Sequence, residues 1–472
     1  MSVDTVEEVA EAEFGDARLS ARLKKIVARL EDGPSRPFPQ AMLSSKETEA
    51  FYRFLDNDRV DPERIIAPHA TQTTQRLADS PTVIVVHDST EVYPASADAT
   101  GGFPKMSNGY GYLAHVSLAL GADGFLPQGV VKISVPPPLD ASAADQSWRE
   151  RWQADDKLSR RWLDHAVATE ERFDDQAVIH VMDREGDSYE ILHALSTADS
   201  MFVIRLSYDR RVGDGQVLSD ELEASTYHAA REVQLGVRKA RRGKGKKRRP
   251  DAERKHPTRS GRKARLQLRA VANVAIQRPR DLPSSMQKEL ILNIVHVTEP
   301  KPPKNEAPVE WRIITSLPVD TAEEVERIVD IYRRRWLIEE FFKALKTGCG
   351  LNHRLPQSLD TAANGFALLS LFAWQLLLLR QLERTAPTAA ASAFLTKPAL
   401  SQLRTMLPSS DKLPPNPRVR QILAAFARLG GHHKSNGPPG WQVLGRGYFA
   451  FLRAVDDTPW MAWIAARNQA QW

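Results

Sequence analysis

A chain of 472 residues with 42% hydrophobic and 26% charged side chains has room for two or three domains with real cores and describes a soluble globular protein. A single cysteine, Cys349, excludes an intrachain disulfide and a cysteine-based zinc cluster. The formal charge of +6 is unevenly spread: Arg238 to Arg265 holds 15 Lys/Arg against Asp251 and Glu253, a local +13 that leaves the remainder at −7.

The opening, MSVDTVEEVAEAEF, is acidic and lacks the apolar core of a secretory signal, so a reducing cytoplasm is expected. Residues 1–65 read as short helices. One runs through Ala17–Leu30, where Arg18, Arg22, Lys24 and Lys25 give a basic face suited to phosphate as well as to water. A second helix follows, capped by Ser44 or Ser45, with Glu47 and Glu49 in its first turn.

From residue 66 the pattern changes to β-branched runs. PTVIVVHDST (81–90) ends near Asp88, and strands at 113–121 and 125–135 follow across a Gly-Ala-Asp-Gly turn. A polar helix is expected over 146–172. The apolar strand 176–182 then ends at Asp183, and MFVIRLS (201–207) finishes near Arg205. Residues 208–310 interrupt the alternation with short strands and the basic tract. That tract, with Lys244, Lys246, Lys247, Arg248 and Arg249 at its centre, suits contact with a polyanion, nucleic acid in particular. EWRIITSLPVD (310–320) resumes as a strand, and a helix opens near Thr321. After 361 the chain reads as helices and loops. Gly365–Leu379 is too short to span a bilayer and carries Ser370 and Gln375, so a buried helix is expected there.

The helix YRRRWLIEEFFKALK concentrates the chemistry. At about 100° per residue, Tyr332, Arg335, Glu339 and Lys346 share one stripe, beside an apolar stripe of Ile331, Ile338, Phe341, Phe342 and Leu345. Periodicity alone also suits a surface helix tied by Arg335–Glu339 and Glu339–Lys343 pairs. Asp88 and Asp183 each end an apolar strand, where α/β sheets place ligands. Three carboxylates with few nearby His or Cys suit Mg²⁺ or Mn²⁺, and two such ions can drive phosphodiester chemistry.

The spacing Y-x2-R-x3-E-x6-K, met by Tyr332, Arg335, Glu339 and Lys346, together with HDST around Asp88 and MDREGDSY around Asp183, resembles the DDE transposases of bacterial cut-and-paste insertion sequences, in the manner of the transposase of transposon five. FGDARLSARL, FVIR, EWRIITSLPVD, EEFFKALKTG and FARLGG extend the likeness over most of the chain.

The resemblance implies an α/β fold: a ribonuclease-H-like mixed sheet over residues 66–360 with a β-rich, basic insertion at about 208–310. It also implies an N-terminal helical DNA-binding domain (1–65) and a C-terminal helical dimerisation region (361–472). Asp88, Asp183 and Glu339 take the role of catalytic ligands to two Mg²⁺ ions, with Mn²⁺ as a substitute. By the same resemblance Arg205, Tyr332 and Arg335 hold DNA phosphates near a flipped base, with Lys346 as a further DNA contact. Trp311 stacks on that base, although a core tryptophan at a strand start has the same sequence signature. The expected partners are the inverted-repeat ends of a transposon, target DNA and a second copy of the chain, in the bacterial nucleoid and with no membrane. The other readings are a structure-selective endonuclease without strand transfer, and a transposase-derived DNA-binding inhibitor.

Overall fold

A computed structural model describes residues 5–31, 33–122, 125–136, 160–213, 215–223, 225–237, 258–304, 306–393, 395–409 and 411–455. The N-terminal part holds α1 (Ala17–Glu31), α2 (Ser45–Leu55) and α3 (Pro62–Leu77), followed by β1 (Thr82–Val92), β2 (Tyr112–Gly121) and β3 (Pro127–Ser134). Next come α4 (Arg160–Arg172), β4 (Ala177–Met182), α5 (Tyr189–Thr197) and β5 (Met201–Arg205). Then β6 (Thr226–Leu235), β7 (Arg262–Gln277), β8 (Glu289–Thr298) and β9 (Glu310–Thr315) precede α6 (Ala322–Arg334) and α7 (Trp336–Lys343). The C-terminal part contributes α8 (Leu359–Thr385), α9 (Val419–Leu429) and α10 (Trp441–Leu452).

The chain forms two compact units, residues 1–178 with 335–472, and residues 179–334. In the first, β1 pairs antiparallel with β2, Asp88 opposite Val116 and Ser89 opposite His115, and β2 pairs antiparallel with β3. The apolar residues of β1, Val83 to Val86, are all buried, which is why a continuous run rather than an alternating one marks this strand. Ser44 caps α2 by accepting from the Glu47 N–H at 3.2 Å, and Asp61 caps α3 from the Arg64 N–H at 2.8 Å. Helix α3 runs across residue 65, so the helical N-terminal segment is continuous with the element that packs on β3.

A buried ionic group ties that segment down. Arg76 of α3 donates to Glu8 Oε1 at 2.5 Å and to the Gln128 carbonyl of β3 at 2.8 Å, and His69 bonds the same Glu8. The Arg76 guanidinium also lies 4.6 Å from the Trp374 ring centroid on α8. Removing one partner from such a buried pair costs about 3–5 kcal/mol, because the other charge is left without water or counter-ion. Helix α8 extends beyond the run 365–379 at both ends, so the expectation of a stretch too short for a bilayer does not hold; it is apolar and long enough to cross a membrane, yet that stretch is wholly buried, in keeping with the buried helix expected there. Ser370 returns its hydroxyl to the Phe366 carbonyl at 2.8 Å, and Gln375 donates to Thr5 at 2.7 Å.

In the second unit β4 and β5 run parallel, β5 pairs antiparallel with β9, and β9, β8, β7 and β6 continue as an antiparallel series. Leu235 of β6 pairs with Arg262 of β7, so the basic tract joins the two arms of a hairpin. Lys244, Lys246, Lys247, Arg248 and Arg249 themselves lie outside the described residues, as does the first half of the helix expected at 146–172; α4 is its described part.

The single helix expected from Thr321 to Lys346 is divided. It ends at Arg334, restarts at Trp336, and widens into a π-helical turn over Ala344–Gly348. The wide turn coincides with the anchoring of Lys346 on β1, described below, and such turns concentrate at functional sites. A uniform 100° period therefore describes 322–334 and 336–343, and fails over Ala344–Gly348.

Candidate active site

In the first unit, β1 and α7 bring together Asp88, Arg335, Glu339 and Lys346. Arg335, the residue at the helix break, donates from Nη1 to Asp88 Oδ2 at 3.2 Å and from Nη2 to Glu339 Oε1 at 2.5 Å. The three side chains are 13%, 13% and 29% exposed for Arg335, Asp88 and Glu339, so this is a largely desolvated ion triad. The Arg335–Glu339 pair that periodicity suggested is present, but it is one arm of a bridge to a strand 247 residues away in sequence. The other oxygen of Asp88, Oδ1, accepts from the Ser89 N–H at 2.8 Å. Lys346 donates to Thr90 Oγ1 and to the Glu91 carbonyl, both at 2.7 Å, which fastens the π-helical turn to the same strand. Burial lowers the Lys346 pKa, and Glu91 opposes that shift.

Behind Asp88, on the opposite face of β1, lies a wall that composition and spacing left unremarked. Ser89 Oγ is 2.8 Å from His115 Nδ1 and accepts from Arg161 Nε at 3.0 Å. His87 and His165 share the Ser117 hydroxyl at 2.8 and 2.7 Å, and Ser134 lies 2.8 Å from His165 Nε2. The three imidazoles have ring nitrogens within 4.8 Å of one another. Both nitrogens of His165 are already engaged by serine hydroxyls, which makes the group a hydrogen-bonded wall rather than a metal centre. Burial holds the His115 and His165 pKa values well below the usual imidazole range, so both rings are neutral. The visible signal was the alternation in HDST, which puts His87 and Ser89 on the face away from Asp88.

In the second unit, Asp183 follows β4 and caps a short 3-10 turn, its carboxylate accepting from the Glu185 N–H at 2.8 Å. The REGDSY residues that follow are a brace for this turn. A Cβ on Gly186 would stand 2.7 Å from Met182 Cβ, so the turn passes too close to β4 for any other residue. Asp187 is buried; it accepts from the Ser207 N–H at 2.5 Å and from Arg210 Nε at 2.9 Å. Its pKa is raised by burial, with Arg210 opposing.

Arg205 ends β5, opposite Ile313 of β9, and donates to the Glu310 carbonyl at 3.1 Å. Trp311, the next residue on β9, is half-buried rather than part of the closed core, and its ring meets that of Tyr332 edge-on at 5.5 Å and 67°. Tyr332 is buried, at 4% exposure. On α1, Arg18 is exposed and paired with Asp16 at 2.9 Å, and Arg22 is partly exposed.

The Asp88 and Glu339 carboxylates, arranged around one positive group, offer the hard oxygen donors that a divalent cation such as Mg²⁺ or Mn²⁺ prefers. Residues 5–60 match a transposase DNA-binding domain, and residues 155–376 match a transposase DDE domain. These are the two domains of a DDE transposase. The DDE match covers Asp183, Arg205, Trp311, Tyr332, Arg335, Glu339 and Lys346; Asp88 precedes its first residue and is tied to it by Arg335. The transposase therefore has a ribonuclease-H-like α/β fold with helices at both ends, acts on DNA and uses divalent metal. Strands β6 to β8 fall within the residues matched to the DDE domain.

Proposed function

We propose that this transposase is of the Y-R-E-K type and excises and reinserts a transposon by a cut-and-paste route, working in the bacterial cytoplasm as a homodimer with two transposon ends. Residues 1–65 and the basic tract of the insertion grip DNA, residues 66–360 carry the chemistry, and the C-terminal helices join the two copies. The observation that carries this reading is the convergence of the Asp88 and Glu339 carboxylates on Arg335.

Asp88, Asp183 and Glu339 would hold two Mg²⁺ ions, for which Mn²⁺ substitutes. When bound, such a pair supplies an activated hydroxyl and stabilises the leaving oxygen of an in-line displacement. The chain's own residues do the rest. Arg205, Tyr332, Arg335 and Lys346 hold the phosphates on either side of the scissile bond, so that the reacting phosphorus stays in line with its nucleophile. Hydrolysis of one P–O3′ bond leaves a 3′-OH on the transposon end and a 5′-phosphate on the flank. That 3′-OH then displaces the 3′ oxygen of the opposite strand, closing a hairpin and releasing the flank. A second hydrolysis reopens the hairpin before strand transfer. Trp311 receives the base that the tight hairpin cannot keep stacked.

The test is a time course on end-labelled duplex carrying the inverted repeat that flanks the gene, with Mg²⁺ and a target plasmid. Nick, hairpin, open end and joined product should appear in that order. Cleavage that stops at the nick, with no hairpin and no joined product, would instead indicate a simple endonuclease.

A further inference from the structure

We propose that Arg335 is a built-in counter-cation of the active site: in the DNA-free protein it competes with the divalent ion for Asp88 and Glu339, and a DNA phosphate that takes its guanidinium releases the carboxylates to the ion. The proposal rests on the reading of Asp88 and Glu339 as metal ligands and adds to it a coupling between DNA and metal.

The geometry carries it. The two terminal nitrogens of one guanidinium lie on two different carboxylates, Nη1 on Asp88 and Nη2 on Glu339. An ion bridging those carboxylates needs the same space and the same oxygen lone pairs. All three side chains are mostly withdrawn from water, so the triad is poorly screened and displacing its cation is consequential. Arg335 stands between α6 and α7 with a helical backbone, and rotation about the bonds of its long side chain is enough to move the guanidinium off the carboxylates. Guanidinium and phosphate match in bidentate geometry, which gives Arg335 a second partner of the same charge as the first. A group that leaves the carboxylates for DNA makes metal binding stronger on DNA than off it, and DNA binding must then be strengthened by metal to the same degree. The site is thereby kept from loading ions, and from hydrolysing DNA indiscriminately, until a phosphate is seated.

Lys346 provides the control. It is a nearby cation in the π-helical turn, and its ammonium is engaged by Thr90 and the Glu91 carbonyl of β1. It therefore contributes positive potential at the site without blocking the carboxylates.

The experiment is Mn²⁺ titration of the full-length, DNA-free protein, followed by the electron paramagnetic resonance signal of free Mn²⁺, with circular dichroism on each variant. Arg335→Gln should bind Mn²⁺ about tenfold more tightly than wild type, a coupling in the ordinary range for linked sites, while Lys346→Gln, which removes positive potential but frees no carboxylate oxygen, should tighten binding by about twofold at most. Should Arg335→Gln not fold, Arg335→Lys serves, since one ammonium cannot place separate N–H groups on both carboxylates as the guanidinium does; it should bind a few-fold more tightly. Asp88→Asn and Glu339→Gln should each weaken the site. If the folded Arg335 variant binds no more tightly than wild type, or Lys346→Gln tightens binding equally, the competition is overturned while the metal-ligand reading stands. If Asp88→Asn and Glu339→Gln leave the affinity unchanged, the metal-ligand reading itself has failed.

Discussion

The ammonium of Lys346 and the hydroxyl of Thr90 are 2.7 Å apart across 256 residues of sequence, and they join the π-helical turn after Glu339 to the strand that carries Asp88. The bond makes Lys346 a brace between β1 and the turn that follows Glu339. Lys346→Met should lower stability by about 1–2 kcal/mol, and Thr90→Val by about 1 kcal/mol, the ordinary scale for part-buried hydrogen bonds. The double variant should lose less than the sum of the two. Thermal unfolding of the four proteins without DNA measures this, and strict additivity would dissolve the brace.

His165 gives the protein a pH dependence whose sign is fixed by burial. Its folded pKa is depressed, so the unfolded chain takes up a proton first as the pH falls. The stabilisation is complete above about pH 6.5 and is lost below it, at a slope approaching 1.4 kcal/mol per pH unit for one proton. His115 shifts in the same direction. Unfolding midpoints between pH 7.5 and 5 should fall steadily. His165→Gln should start lower, because it loses bonds to Ser117 and Ser134, but should fall less steeply. A parallel pair of curves would contradict the buried neutral imidazole.

Local pattern marks out Asp88 and Glu339 only in part: β1 continues past Asp88 to Val92 instead of ending there, and the period that places Glu339 beside a packing stripe suits a plain surface helix equally, so the family resemblance singles the pair out. The layout of β1, β2, β4, β5 and β9 was legible from local pattern. The break at Arg335 and the wide turn at Lys346 were not, because both coincide with partners some 250 residues away on β1, and no periodicity encodes such an interaction. The wall of His87, His115, His165, Ser117 and Ser134 was hidden similarly: its members come from four separate elements, and each alone reads as an ordinary core polar residue. Asp187 lay within a motif read for Asp183, yet it braces the loop through Arg210.

Trp311 separates the steps of the proposed reaction. Trp311 is half-buried and meets Tyr332 edge-on, and in the proposed hairpin step base stacking on such a ring would contribute about 1–3 kcal/mol. Trp311→Ala should leave the first nick near its wild-type rate and slow hairpin formation about tenfold to a hundredfold. Trp311→Phe should retain part of the hairpin step because it keeps a π-face. Equal slowing of nick and hairpin would remove the specific role of the indole.

The tract from Arg238 to Arg265 concentrates +13 between the arms of the β6–β7 hairpin. Replacing Lys244, Lys246, Lys247, Arg248 and Arg249 with Gln should flatten the plot of log affinity against log salt by about 0.9 for each DNA phosphate that the tract no longer neutralises. An unchanged slope would return the tract to the role of a solvated loop. The same measurement on Arg18→Gln with Arg22→Gln asks whether α1 neutralises phosphates of its own.

The central claim is that Asp88, Asp183 and Glu339 act as one metal-binding set in phosphodiester cleavage. The most direct measurement is the single-turnover nicking rate of Asp88→Asn, Asp183→Asn and Glu339→Gln on the inverted-repeat duplex with Mg²⁺, alongside end binding by gel shift. Losing one ligand removes several kcal/mol of charge stabilisation, so each rate should fall by about a thousandfold or more while the gel shift persists. A variant that still binds the end and nicks it within a few-fold of wild type would contradict the claim for that residue.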